Sequence, residues 1–270
     1  MSKSVRRVFL LTSGQGGYAS RCVAGLAMSE SIELIGVVRA KGTKPSLKKY
    51  FKRKVKKAWK IGAIGTLNGF RMRGWFRDQG PPPIDSLARS YDVPYHVVEN
   101  LNSEQTQRVI SEMSPDLGIS VGNGYIRSSI FSIPTNGMIN FHSERLPDYK
   151  GAQSVIWPIY EGEIQTGLSI HQMTKSIDGG RLLYKESYPI VLRSTLKSTV
   201  RASTSITKAR IGPAVRHVCD NYEMKFDRGN EQKGGDTYTT PSSAEFLQML
   251  AQHRRLFQEY GPGMIDAGHS

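Results

Sequence analysis

The stretch that decides the fold reads Val5-Arg6-Arg7-Val8-Phe9-Leu10-Leu11-Thr12-Ser13-Gly14-Gln15-Gly16-Gly17-Tyr18. Val5 to Leu11 is β-branched and apolar enough for a buried strand, the glycine turn interrupts it, and helical spacing then runs to about Met28. Ile32 to Val38 supplies a second strand, so the opening is strand, helix, strand, which points to a parallel sheet covered by helices. Working outward, the alternation continues with a helix from Ile84 to Tyr91, a strand at Tyr95 to Val98, a helix from Ser103 to Met113 and a strand at Leu117 to Val121. Gly137 to Phe141 and Gly167 to Met173 read as further strands, separated by a helix through Trp157 and Tyr160. After Ile190 the pattern changes to a long helix, about Leu196 to Tyr222, then a glycine-rich charged stretch from Asp227 to Asp236 and a last helix from Ser243 to Tyr260. The expected class is α/β: a mostly parallel twisted sheet flanked by helices in residues 1–190, with a smaller, mainly helical extension in 191–270.

A chain of 270 residues with 38% apolar and 22% charged side chains can bury one sizeable core. Its nearly uncharged stretches, such as Leu117 to Ile126, are far shorter than a membrane span. The polar, basic start and the lack of a small-residue cleavage site lead to the expectation of a cytoplasmic protein. Cys22 and Cys219 lie far apart without metal-type or redox-type spacing, so neither a disulfide framework nor a metal site is expected.

The net charge of +14 is concentrated at one end. Residues 1–80 carry 18 Lys and Arg against 3 acids, residues 81–270 carry 19 against 20, and between Lys41 and Arg77 there are thirteen basic residues and no acid. This basic insert, at about 41–80, reads as two short helices, Ser46 to Lys60 and Ile64 to Phe76. In the first, Leu47, Tyr50, Phe51, Val55 and Ala58 form an apolar stripe opposite a lysine face that includes Lys48, Lys52 and Lys56. Two readings stand side by side: a helix packed on the sheet with a solvated basic face, or a surface that attracts anionic lipid or a polyanionic substrate. No nucleic-acid motif accompanies the lysines.

The chemistry is concentrated in Asn140-Phe141-His142-Ser143-Glu144-Arg145-Leu146-Pro147-Asp148-Tyr149-Lys150-Gly151, which follows a predicted strand, where α/β sheets display functional side chains. Ser176-Ile177-Asp178-Gly179-Gly180 comes downstream, with Asp178 thirty-six residues after His142. Singly, each element has an ordinary structural reading: Asn and His at i and i+2 share a strand face, and Asp before two glycines suits a turn. Jointly, Asn-x-His, Leu-Pro-x-Tyr-Lys-Gly and the spaced Asp-Gly carry more.

With these motifs the chain resembles the folate-dependent formyltransferase family, which includes glycinamide ribonucleotide transformylase, methionyl-tRNA formyltransferase and the sugar N-formyltransferases. The resemblance covers about residues 5–190 and implies a Rossmann-like catalytic core. It matches Asn140, His142 and Asp178 to the family's catalytic trio, and Thr166-Gly167, His171-Gln172-Met173 and Asp178-Gly179-Gly180 look like its later strands and loop. Glu144 and Arg145 depart from the small and apolar residues common between the histidine and Leu-Pro, which bears on the pocket entrance.

The implied donor is 10-formyltetrahydrofolate. By the same resemblance, its binding positions are Gly124, Tyr125, Ile126 and Arg127 on one side, and Thr174, Lys175, Ser176 and Ile177 on the other. An amine attacking a formyl carbon creates a negatively charged oxygen that needs donors already in place, and Asn140 and His142 offer N–H groups at a separation fixed by the strand pleat. The amine must also lose protons, a task for a carboxylate such as Asp178 acting on His142 or through water.

Gly14, Gly16, Gly17 and Tyr18 are the candidate acceptor-binding residues, because glycines before a helix expose N–H groups that can cradle phosphate. Simple chain reversal remains the other reading, and the third glycine of a dinucleotide fingerprint is absent. The expected acceptor is a small amine, phosphorylated or nucleotide-linked, with a nucleotide-linked amino sugar preferred. Glycinamide ribonucleotide, a hydroxylated amino acid and methionyl-tRNA stay open, as do a homodimer and a polyanion- or membrane-surface-binding protein on an idle copy of the fold.

Overall fold

In the first strand Val8, Phe9, Leu10 and Leu11 are all fully buried, so both faces of the sheet are covered at this point. The computed structural model describes residues 5–42, 55, 72, 74–76, 80–151 and 154–261. Their elements begin with β1 (Arg6–Thr12), α1 (Tyr18–Ala27), β2 (Ile32–Ala40), α2 (Ile84–Ser90), β3 (Tyr95–Val98) and α3 (Glu104–Met113). Next come β4 (Leu117–Val121), α4 (Ser128–Phe131), β5 (Met138–His142), β6 (Tyr149–Gly151), α5 (Ile156–Tyr160), β7 (Gln165–Gln172) and β8 (Leu182–Pro189). The chain ends with α6 (Leu196–Asp220), α7 (Tyr222–Arg228), β9 (Asp236–Tyr238) and α8 (Ser243–Tyr260).

The main sheet has the order β3-β2-β1-β4-β5-β7-β8. Its first five strands are parallel, and β7 and β8 join antiparallel. Val8 and Leu10 of β1 share a core with α1, α2 and α6, whereas Phe9 and Leu11 share another with Ile110 of α3 and Ile130 and Phe131 of α4. Alternate side chains of one strand thus feed two cores, as the two-residue period of a strand requires. The mostly parallel sheet and its flanking helices agree with the sequence reading.

Residues 191–270 contribute to two cores. The later half of α6 packs Ile211, Ala214, Val215 and Val218 into the core of β1 and α1. Its first turns, with Leu196 and Val200, join α5 and α8 in a third core through Trp157, Phe246 and Met249. The crossing of α1 with α6 is close: a Cβ built on Gly25 would lie 2.8 Å from the Gly212 Cα. Cys22 and Cys219 are buried and unbridged, and burial pushes both thiols up, that of Cys219 to about 12, which leaves them unreactive at neutral pH.

Three features differ from the sequence reading. The half-exposed strand β8 was not expected, because Tyr184-Lys185-Glu186-Ser187 lacks the apolar run of a buried strand. The long helix stops at Asp220 instead of continuing to Tyr222; Asn221 leaves helical geometry and its side-chain amide donates to the His217 carbonyl at 3.0 Å, satisfying one of the last turn's free acceptors. A small second sheet pairs β6 with β9 in parallel. The two helices expected in the basic insert, with Lys48, Lys52 and Lys56, lie outside the described residues apart from Val55, Met72 and 74–76. Val55, placed in the apolar stripe by its spacing, is 53% exposed, while Met72 and Trp75 are buried against the third core. No described helix is long and apolar enough to cross a membrane.

The α1–α6 crossing makes a prediction that opposes helix propensity. Alanine at position 25 would favour an isolated helix by about 1 kcal/mol, but overpacking against the Gly212 backbone costs about 1–3 kcal/mol. Gly25→Ala is therefore expected to lower the denaturation midpoint in a urea titration with an unchanged slope, and an increase in stability would contradict the close crossing.

Candidate active site

Parallel strands β1, β4 and β5 end at the same edge of the sheet, and the loops beyond them enclose a cleft of about 400 Å³. The end of β5 supplies Asn140 and His142 from one strand face, and the loop after β7 returns Asp178 to them. Asp178 holds a left-handed conformation, φ +48°, which aspartate tolerates better than most residues. All three candidate catalytic residues line the same cleft.

His142 is almost fully enclosed, 8% exposed. Its Nε2 lies 2.6 Å from the Tyr149 carbonyl oxygen, which can only accept, so Nε2 carries the proton and donates. Nδ1 is left 3.8 Å from Oδ2 of Asp178. In this tautomer His142 offers the cleft a second N–H only when the ring is charged. Burial is the largest influence on the imidazole and pulls its pKa down; Asp178 and the Tyr149 carbonyl pull it up, and the net shift is downward.

The Asp178 carboxyl is pushed up by burial, but hydrogen bonding to His171, the charge of His142 and the Gly151 N–H outweigh this and hold it below its ordinary value. Its Oδ2 accepts from the Gly151 amide at 2.9 Å, and its Oδ1 stands 3.5 Å from His171 Nε2.

His171, on β7, is the functional neighbour not singled out from sequence as a site residue. It pairs with Asn140 across the antiparallel ladder, its Nδ1 lies 2.9 Å from the Gln172 carbonyl, and its Nε2 lies 3.3 Å from Asn140 Nδ2. With Nδ1 donating to that carbonyl, a neutral His171 turns the Nε2 lone pair to one amide hydrogen of Asn140 and so orients the other; a charged ring instead presents Nε2–H to Asp178 Oδ1, the bond that holds that carboxyl down. An in-register position across the strand ladder was the available signal.

Of the candidate donor-binding residues, Gly124, Tyr125, Ile126, Thr174, Ser176 and Ile177 line the cleft, and Arg127 and Lys175 do not. Tyr125 and Ile177 are 60% and 65% exposed, apolar surface held at the cleft in water. Two asparagines pin this wall. Asn102 donates to the Tyr125 carbonyl and accepts from the Arg127 amide, and Asn123 donates to the Leu11 carbonyl and the Ser120 hydroxyl while accepting from Ser13. The last bond ties the glycine loop to the cleft. Of the candidate acceptor-binding residues only Tyr18 lines the cleft, its ring 5.1 Å from that of Phe141; Gly14, Gly16 and Gly17, which lead into α1, do not line it.

Glu144 and Arg145 lie beside the cleft. Buried Glu144 accepts from the Arg145 and Val155 amides and the Thr166 hydroxyl, and burial pushes its carboxyl up despite these bonds. Arg145 pairs with Glu163 and lies over the Tyr149 ring.

The sequence pattern of a family described as Formyl transferase matches residues 70–211. Methionyl-tRNA formyltransferase of Geobacter sulfurreducens is 34% identical over 111 residues, 41% of this chain and 35% of that protein. The chain thus matches about a third of that relative's length. Among solved structures, glycinamide ribonucleotide transformylase 1 of Symbiobacterium toebii aligns with a TM-score of 0.57 at 13% identity, covering 86% of this chain and 96% of that one. WlaRD, a sugar 3N-formyl transferase crystallised with dTDP and 5-N-formyl-THF, aligns with a TM-score of 0.52 at 14% identity over 95% of this chain and 81% of its own. These two likenesses concern the fold. With more than half of its residues matched by the family pattern, the chain belongs to the formyl transferase family.

Proposed function

We propose that this chain transfers a formyl group from 10-formyltetrahydrofolate to the amine of a small acceptor, a nucleotide-linked amino sugar. The observation that carries the reading is the meeting of Asn140, His142 and Asp178 in one cleft, in a chain of this family. A volume of about 400 Å³ lies within the usual range for small-molecule sites. Its lining suits a flat, polar-edged ring system: Gly122–Ile126 contribute from one loop and Thr174, Ser176 and Ile177 from another, with Tyr125 and Ile177 supplying apolar cover. Gly124, Tyr125, Ile126, Ser176 and Ile177 would hold the donor, with Arg127 and Lys175 nearby. When bound, the donor supplies the formyl carbon that the acceptor amine attacks.

Each chain residue then has a distinct task. Asn140, oriented by His171, directs its remaining amide hydrogen toward developing negative charge, where a donor fixed in advance is most effective. His142, neutral at physiological pH, takes a proton from the attacking amine at Nδ1 and gives it to the folate nitrogen as the bond from that nitrogen to the formyl carbon breaks, so that tetrahydrofolate leaves and the ring returns to neutral. Asp178, ionised nearby, stabilises the imidazolium formed between the two transfers. Gly14, Gly16, Gly17 and Tyr18 bind the acceptor's phosphate side at the start of α1, and the basic excess between Lys41 and Arg77 favours a phosphate-bearing acceptor. A second reading, formylation of methionyl-tRNA, has the identity with those enzymes in its favour. A turnover assay with the folate donor against an amino-sugar nucleotide, glycinamide ribonucleotide and methionyl-tRNA separates them, and turnover with the amino-sugar nucleotide is expected.

His142→Asn and Asp178→Asn are each expected to lower the transfer rate by about 100- to 10,000-fold while the purified proteins keep wild-type circular dichroism. Near-normal turnover in both would remove the trio from the mechanism. Because only the neutral ring accepts a proton and burial lowers its pKa from the ordinary 6.5, the rate is expected to be flat near neutral pH. It should fall as pH drops through a midpoint below that value, whereas a midpoint above pH 7 would contradict a neutral His142 base.

The glycine turn supplies a separate test. Gly16→Val is expected to raise KM for a phosphate-bearing acceptor and leave that for the folate donor nearly unchanged, because Gly16 is not among the residues that line the cleft between the donor walls. Steady-state kinetics varying each substrate in turn decide this, and a selective loss of donor affinity would mean the two ligands are assigned the wrong way round.

A further inference from the structure

The segment 229–239 lies beyond the part of the chain matched by the family pattern, which ends at residue 211, yet its contacts fall on the two loops that hold His142 and Asp178. On the Asp178 side, Asn230 and Leu182 exchange backbone hydrogen bonds of 2.9 and 3.2 Å, and the side-chain amide of Gln232 donates to the Gly180 carbonyl at 2.6 Å. On the His142 side, β9 pairs in register with β6, Asp236 opposite Tyr149 and Tyr238 opposite Gly151, and Lys150 donates to the Gly234 carbonyl. Trp157 closes the segment by donating to the Thr239 carbonyl at 3.2 Å.

The two loops that the segment joins are themselves joined through the candidate trio. Tyr149 of β6 gives the carbonyl that fixes the His142 tautomer, and Gly151 of β6 gives the N–H that holds Asp178 Oδ2. Gly151 has φ +96°, and a Cβ there would come within 2.2 Å of the Tyr238 carbonyl, so β9 approaches as near as a glycine allows. Gln232 reaches the other end of the same unit, two residues from Asp178. Its Oε1 is buried without a partner among the described residues, so the side chain is directed by what its N–H donates to.

We propose that segment 229–239 is a strap that sets the distance between His142 and Asp178, with Gln232 as a positioning residue acting through the Gly180 carbonyl. The inference rests on the formyl-transfer reading for its kinetic consequence, but not for its geometry. Misplacing reacting groups by about 1 Å costs on the order of 100-fold in rate, so a loosened strap shows in kcat before it shows in binding.

The test uses the full chain with Gln232→Glu, which keeps the side chain's size but loses the donor, and Lys233→Ala as a neighbouring control. Two quantities are read: hydrogen exchange of the Gly151 amide by NMR, and kcat and KM for 10-formyltetrahydrofolate with whichever acceptor of the panel is turned over. In Gln232→Glu, exchange at Gly151 is expected to speed up about two- to tenfold, the effect of weakening one ordinary hydrogen bond. Over the same variant, kcat should fall about tenfold or more with donor KM within about twofold, while Lys233→Ala stays at wild type in both. Unchanged Gly151 exchange and kcat in Gln232→Glu would overturn the proposal, as would a rate loss matched by an equal loss of folded protein. A wild-type protein without folate-dependent transfer would overturn the functional reading alone; the strap is then decided by Gly151 exchange, supported if faster in Gln232→Glu and overturned if not.

Discussion

The hydrogen bond from His142 Nε2 to the Tyr149 carbonyl, 2.6 Å long, governs the chemistry available at the cleft. It occupies the ring's one proton in the neutral state, so Nδ1 faces Asp178 as a lone pair. A carbonyl cannot donate, and the assignment follows from the partner's chemistry and not from a choice between ring nitrogens. Everything that fixes Tyr149 therefore fixes the protonation logic of His142: the pairing of β6 with β9, and the Arg145 guanidinium over the Tyr149 ring.

Glu144 extends this control toward the sheet. Its carboxylate reaches Thr166 on β7 and the Val155 amide in the loop before α5. Val155 is held at φ +72°, a conformation that costs a β-branched residue about 1–3 kcal/mol. The hydrogen bond from the Val155 amide to Glu144 contributes about 0.5–1.5 kcal/mol toward offsetting that cost. Glu144 is thus a structural staple beside the site. It links the strand that carries His142 to the loop and strand opposite.

The opening strand, glycine turn and helix were legible because Val8 to Leu11 form an unbroken apolar run and Gly14, Gly16 and Gly17 interrupt it. Asn140 and His142 were legible as one face of a strand, and their nearness to Asp178 was what the family resemblance implied. His171 was harder to see, because its significance lies in its register opposite Asn140, which depends on an antiparallel turn of the chain that local pattern does not encode. The strand β8 escaped for a related reason: an edge strand with one face in water reads as polar loop. The pairing of β9 with β6 brings together residues more than eighty positions apart through three residues each, too short a pattern to carry a period. Asn102 and Asn123 look like turn residues in sequence, and only the folded chain makes them the pins of the cleft wall.

The chemistry open to the cleft depends on a neutral His142 whose proton sits on Nε2 and whose Nδ1 is free to accept. The most direct measurement is the nitrogen-15 NMR spectrum of selectively labelled histidine, assigned by comparison with His142→Asn and recorded near neutral pH. The expected result is a His142 ring with a protonated Nε2 and a bare Nδ1. A ring carrying its proton on Nδ1, or one fully charged at that pH, would contradict it.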